Sequence, residues 1–253
     1  MARRSRKKEQ QTKVLSTQER RERRKLPIDS SSLVEIEPLT ENQGRIFNGF
    51  DEGKNLFVYG CAGTGKTFCA LYKALQEVLK PTSTYDSIYL VRSLVATREI
   101  GFLPGDHEDK ADIYQIPYKN MVKYMFERNS DEEFEMLYSG LRSQNTIKFW
   151  STSFLRGVTL DNAIVIIDEM QNLNFHELDS IITRVGENTR IIFAGDAVQS
   201  DLIKDRERNG IHDFMRILEK MPDDFDLIEM GVDDICRSGL VRNYIIAKNK
   251  AGL

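Results

Sequence analysis

The run NLFVYGCAGTGKTFCALYKALQEVL, Asn55 to Leu79, constrains the fold more than any other stretch of the chain. A short apolar run leads through a loop with glycines at 60, 63 and 65 into a helical pattern that Pro81 ends. An uninterrupted apolar run is the signature of a strand buried on both faces, and the glycines permit a tight reversal into the helix. The alternation continues downstream. SIYLVRS, TIKFWS, AIVIIDE, RIIFAGD and DLIEM read as strands. Residues 111–141, FHELDSIITRVG, IHDFMRILEKM and RSGLVRNYIIAKNK read as helices. Strands of this kind alternating with helices predict a parallel sheet covered on both faces.

Upstream of the first strand, LTENQGRIFNGFDEG predicts a helix with Thr40 as its N-cap and Gln43 at the third helical position. Residues 1–25 carry 11 Lys and Arg against 3 Glu, which leaves 25 basic and 36 acidic residues for the rest of the chain. A segment so charged and so poor in apolar residues builds no core. Residues 1–32 are therefore expected to be a disordered basic arm and linker, and residues 33–253 one α/β domain. The arm reads equally as a solvated tail or as a contact to nucleic-acid phosphates. Apolar runs such as AIVII are far too short to span a membrane, and no signal-peptide core is evident. Cys61, Cys69 and Cys236 form no CxxC pair, which fits a reducing cytoplasm without structural zinc.

GCAGTGKT, Gly60 to Thr67, has the GxxxxGK[ST] spacing of a phosphate loop in its proper place between strand and helix. Backbone N–H groups of Gly60, Cys61, Ala62, Gly63, Thr64 and Gly65 would surround a β-phosphate, aided by the helix N-terminus. Lys66 would reach the β- and γ-phosphates of ATP, and the Thr67 hydroxyl would ligate Mg2+. Asp168, at the end of AIVIID, would complete the Mg2+ site, and Glu169 beside it is the candidate general base. Gln199 in AGDAVQ and Gln171 are candidate reporters of the γ-phosphate. Gln43 is a candidate adenine reader, because its amide both donates and accepts, though helix capping would also explain it.

TENQ, GCAGTGKT, GFLPGDHEDK, FLRGVTLDNAIVIIDEMQN, ITRVG, AGDAVQSDL and DDICRSGLV occur in that order between about residues 38 and 248. Together they resemble the PhoH family of P-loop ATPases, especially the short members carried by tailed phages. Val158 stands where many bacterial members have a second arginine, which weakens transfer of a nucleic-acid contact to that loop. Cys61 replaces a common proline, and Gly210-Ile211 stand where Ser-Gly-Leu is usual. The resemblance implies a RecA-like P-loop NTPase domain, similar to the first motor domain of superfamily 1 helicases and assembled as a homo-hexamer. It also implies work on single-stranded nucleic acid, RNA more than DNA.

The oligomer has an independent argument. After Gln199 only 54 residues remain, too few for a second motor domain to supply an arginine to the site. A missing arginine costs such reactions about 10³–10⁵ in rate. Arg184 and Arg237 are the leading candidates in cis or in trans, and Arg156 is a third. Arg92, Tyr114, Tyr118 and Lys119 are candidate nucleic-acid contacts, although packing against the helical insert explains the last three better. Phe149 and Trp150 are expected in the core, and the adjacent Asp233 and Asp234 receive no metal role. Two rival functions stay open: an ATP-gated scaffold that recruits a nuclease or other partner, and a small-molecule kinase.

Overall fold

The computed structural model describes residues 28–92, 107–155, 157–196 and 210–251, with the backbone alone for 107–113 and 153–154. The basic arm up to residue 27, the GFLPG loop, Arg156 and Gln199 lie outside the described residues. Six strands, β1 (Asn55–Gly60), β2 (Ser87–Arg92), β3 (Ile147–Ser151), β4 (Ala163–Asp168), β5 (Arg190–Gly195) and β6 (Phe225–Met230), form one sheet. Their order is β3-β2-β4-β5-β1-β6 and every pairing is parallel. This is the α/β P-loop architecture the sequence predicts, with β5 inserted between the phosphate-loop strand β1 and the acidic strand β4.

Each parallel connection has to cross a face of the sheet, and the helices do so on both sides. On one face pack α1 (Glu41–Asp51), α2 (Lys66–Val78), α3 (His107–Phe126) and α4 (Asp131–Ser143). On the other pack α5 (Phe175–Ile182) and α6 (Ile211–Leu218). Successive strand side chains serve opposite cores: Leu56, Val58, Ile164 and Ile166 join the first, Phe57, Val165 and Ile167 the second. All six residues of β4 are buried, which explains its unbroken apolar run.

Thr40 caps α1 as expected, its hydroxyl accepting from Gln43 N. The predicted helix over 111–141 is in fact two. Glu127 adopts a positive φ of 29°, and the Ser130 side chain caps a new helix by accepting from Glu133 N. Salt bridges Lys119–Glu135 and Lys123–Asp131, with Arg142 donating to Gln115, tie the two helices into one insert. The last helix, α7 (Gly239–Lys250), buries no residue and leaves Leu240, Val241 and Tyr244 exposed. Among the described residues no helix is long and apolar enough to cross a membrane, and all three cysteines are free.

Candidate nucleotide site

Strand register collects the motifs. Arg92 at the end of β2 lies opposite Asp168 at the end of β4, and Tyr59 beside Gly60 lies opposite Gly195 at the end of β5. A parallel sheet thus brings residues more than a hundred positions apart to one carboxyl-terminal edge.

The phosphate loop is held by the end of β6 and the segment that follows it. Gly60 has φ +118°, and Cys61 N donates to Met230 O at 2.8 Å. A Cβ at Gly60 would be driven into that carbonyl. Gly60→Ala is therefore expected to cost about 2–3 kcal/mol, read as a lowered denaturant midpoint, because both the backbone angle and the contact forbid a side chain. Gly63 and Gly65 also have positive φ, at 74° and 83°. The space beside Gly63 is taken by Arg237 and Ile245, and that beside Gly65 by the Gln43 amide. Cys236 N donates to Gly63 O at 3.0 Å, and Asn249 Nδ2 reaches Cys61 Sγ at 3.3 Å. The loop is thus clamped by residues from the last 25 of the chain, of which the sequence motifs pointed only to Arg237.

Lys66 opens α2 with its side chain 7% exposed. Its ammonium donates to Cys61 O at 2.6 Å and Gly60 O at 3.2 Å, and pairs with Asp196 at 2.7 Å. Asp196, the residue after β5, is the acid that holds this lysine. The next residue, Thr67, donates from Oγ1 to Asp168 Oδ1 at 2.6 Å. The second carboxylate oxygen of Asp168 accepts from the Tyr118 hydroxyl at 2.5 Å. Burial first, and the Asp168 charge second, hold the Tyr118 phenol far above its ordinary value, so it remains a donor. A hydroxyl and a carboxylate meeting beside a phosphate loop fit Mg2+, a hard cation that keeps several waters and otherwise binds phosphate oxygens. Among the described residues no group of three or more His, Cys, Asp and Glu side chains could hold a metal ion by itself.

Glu169 sits in the left-handed region at φ +54°, a conformation that costs a glutamate free energy and turns it off the strand end. Its carboxylate accepts from Gln171 Nε2 and stands 3.7 Å from the Arg92 guanidinium. Gln171 Oε1 in turn accepts from Asp196 N at 2.9 Å, so one amide links the end of β4 to the end of β5. A Cβ at Gly195 would collide with that amide, which is why glycine stands there.

Gln43 is 5% exposed and fully engaged. Its Oε1 accepts from Leu39 N at 2.8 Å, and its Nε2 donates to Thr64 O at 2.9 Å and Cys236 Sγ at 3.0 Å. It therefore reaches from α1 onto the phosphate loop, besides receiving the cap of Thr40 on its backbone. Burial raises the Cys61 thiol above its ordinary value and pushes Cys69 up to about 12, so neither is an activated thiolate.

The two leading arginines are separated by the sheet. Arg237 lies against Gly63 on the loop of its own chain. Arg184 follows α5, and its carbonyl accepts from Leu160 N just ahead of β4, at the opposite, amino-terminal edge. Six residues of strand put about 20 Å between those edges. Arg184 therefore cannot reach its own chain's loop. Tyr118 is buried against Phe149, whereas Lys119 is taken by Glu135. Phe149 and Trp150 are half-buried, with Trp150 edge-on to Tyr89, rather than fully in the core. Asp234 is structural: it accepts from Asn42 Nδ2 and Gly231 N, both at 2.8 Å.

A family model described as PhoH-like protein matches residues 35–248. The PhoH-like protein of Mycobacterium leprae is 33% identical over 213 residues, 84% of this chain and 58% of the relative. The PhoH-like protein of Bacillus subtilis is 32% identical over 199 residues, 77% of this chain and 58% of the relative. Protein PhoH of Escherichia coli is 29% identical over 222 residues, 87% of this chain and 60% of the relative. The chain thus spans less than two thirds of the length of these curated relatives. Among solved structures it is similar to the large terminase of a thermophilic bacteriophage in complex with ADP. That likeness has TM-score 0.46 at 12% identity, over 83% of this chain and 50% of the other. The Pyrococcus furiosus Hef helicase domain gives TM-score 0.43 at 13% identity, over 80% of this chain and 39% of the other. A match across nearly the whole described sheet, from the helix bearing Gln43 to the helix over the phosphate loop, decides the family: the chain belongs to the PhoH-like proteins.

Proposed function

We propose that this protein is a Mg2+-dependent ATPase that couples hydrolysis to binding or remodelling single-stranded nucleic acid, RNA in preference to DNA, as a homo-oligomeric ring. The observation that carries the ATPase part is the direct bond of Thr67 to Asp168 beside a buried Lys66, with Glu169 next in the chain. When bound, ATP supplies the anhydride to be cleaved and Mg2+ neutralises charge on its phosphates. Lys66 exchanges its bond to Asp196 for phosphate oxygens, holding the charge that builds up on cleavage. Glu169, released from Gln171, accepts the proton of the attacking water. Gln43 keeps its bond to Thr64 and gives up the weak thiol acceptor of Cys236 for an adenine edge.

The placement of the arginines supports the ring reading. Arg237 serves its own loop, and Arg184, on the far edge, serves a neighbour's. Gln199 completes the reading as the γ-phosphate reporter. A second carboxylate, Glu169, beside Asp168 favours hydrolysis over transfer to a small molecule.

The test is ATP hydrolysis with and without single-stranded RNA and DNA at two salt concentrations, with Lys66→Ala as control. RNA is expected to raise the rate more than DNA, and added salt to erode the increase as phosphate contacts release counterions. A rate indifferent to both polymers would remove the motor reading in favour of an ATP-gated scaffold.

A further inference from the structure

We propose that Tyr118 is a positioning residue for the Mg2+ site, holding Asp168 from the side of the helical insert. The inference rests on the ATPase reading above and concerns a residue on α3, outside every phosphate-loop motif.

The Tyr118 side chain is buried at 3% exposure, and its hydroxyl ends on Asp168 Oδ2 at 2.5 Å. Thr67 takes the other oxygen, so the carboxylate is gripped by two hydroxyls and is not free to turn about its terminal bond. Hydrogen bonds to an ionised acceptor are about twice as strong as neutral ones, and Asp168 is itself buried, so water has little access to replace a lost donor. The two grips differ in origin. Thr67 belongs to the phosphate loop and its hydroxyl would turn to the cation. Tyr118 comes from across the sheet face and cannot follow it, because its ring is packed on Phe149 at 5.6 Å.

The helix behind it is packed into the core: Val122, Met125 and Phe126 of α3 are buried in one cluster with Phe134 and Leu141 of α4. Tyr118 would therefore fix one Asp168 oxygen and leave the other in a constant direction toward the Mg2+ site. Second partners of this kind around metal ligands carry about 10–100-fold in metal affinity.

The test separates a positioning hydroxyl from one that is merely satisfied. Tyr118→Phe retains the ring and its packing. Binding of a fluorescent, non-hydrolysable ATP analogue to the full chain is measured in EDTA and across a Mg2+ titration, alongside thermal unfolding. Tyr72→Phe, which removes a buried hydroxyl bonded to Val34 O and Ile36 N, is the control. The expected result is unchanged analogue binding in EDTA, with the half-saturating Mg2+ concentration raised about 10-fold or more in Tyr118→Phe and unmoved in Tyr72→Phe. A Tyr118→Phe titration that superimposes on the wild type overturns the proposal and leaves the ATPase reading standing. Weakened binding in EDTA together with a lower melting point overturns it as well, by making the hydroxyl structural. Wild-type binding that ignores Mg2+ brings down both.

Discussion

Lys66→Ala is expected to lower ATP hydrolysis by about 10²–10³-fold, the usual loss when a charged group aimed at developing charge is removed. The geometry makes the effect larger than the deletion of one surface lysine. The ammonium is buried among the carbonyls of Gly60 and Cys61 and the Asp196 carboxylate. Without it those carbonyls lose their donor, and Asp196 faces the incoming phosphates with its charge uncompensated. Nucleotide binding should therefore weaken together with turnover. Lys66→Arg should not restore either, because a planar guanidinium cannot replace a compact ammonium in a cavity lined by loop carbonyls. Phosphate release and fluorescent nucleotide titration measure the two effects separately. Near-normal turnover in Lys66→Ala would show that this loop is not where the nucleotide is cleaved.

How far such a site can be read without coordinates depends on the distance between its parts. The strands were legible because a parallel sheet buried on both faces demands unbroken apolar runs, and β4 is buried at every position. Lys66, Thr67 and Asp168 were legible because each sits at a fixed offset from a strand end. The break between α3 and α4 contains no glycine or proline, and its signal is the N-cap pattern of Ser130 and Glu133 inside an otherwise continuous helical stretch, whereas Pro117 lies inside α3 without ending it. Tyr118 lies fifty residues from the carboxylate it holds, and nothing in its local pattern distinguishes it from a core tyrosine. Asp196 could be seen as a strand-end acid, but only the register of β1 with β5 brings it to Lys66. The arginines show the same limit from the other side. Arg184 and Arg237 read alike as motif arginines, and only the chain's path assigns them to opposite edges of the sheet.

Glu169→Gln is expected to slow hydrolysis by about 10²–10⁴-fold, the range for loss of a positioned general base, while nucleotide affinity changes little. The glutamate is held ready by three features that have no structural purpose in common. Its backbone is in the left-handed region, its carboxylate faces Arg92, and Gln171 binds it from the side that leads to β5. An acid kept in a costly conformation, and only partly buried, is better explained by chemistry at that point than by stability. The glutamine keeps the volume and the hydrogen-bonding length but cannot accept a proton at neutral pH. The variant should therefore accumulate in the ATP-bound form, which also makes it the right protein in which to measure assembly by sedimentation with ATP and with ADP. If the ring is closed by an arginine reaching a neighbour's γ-phosphate, Glu169→Gln with ATP should sediment as the oligomer, and Arg184→Ala added to it should not. Wild-type turnover in Glu169→Gln would move the base elsewhere. An oligomer insensitive to Arg184 would take that residue out of the neighbour's site while leaving Glu169 in its place.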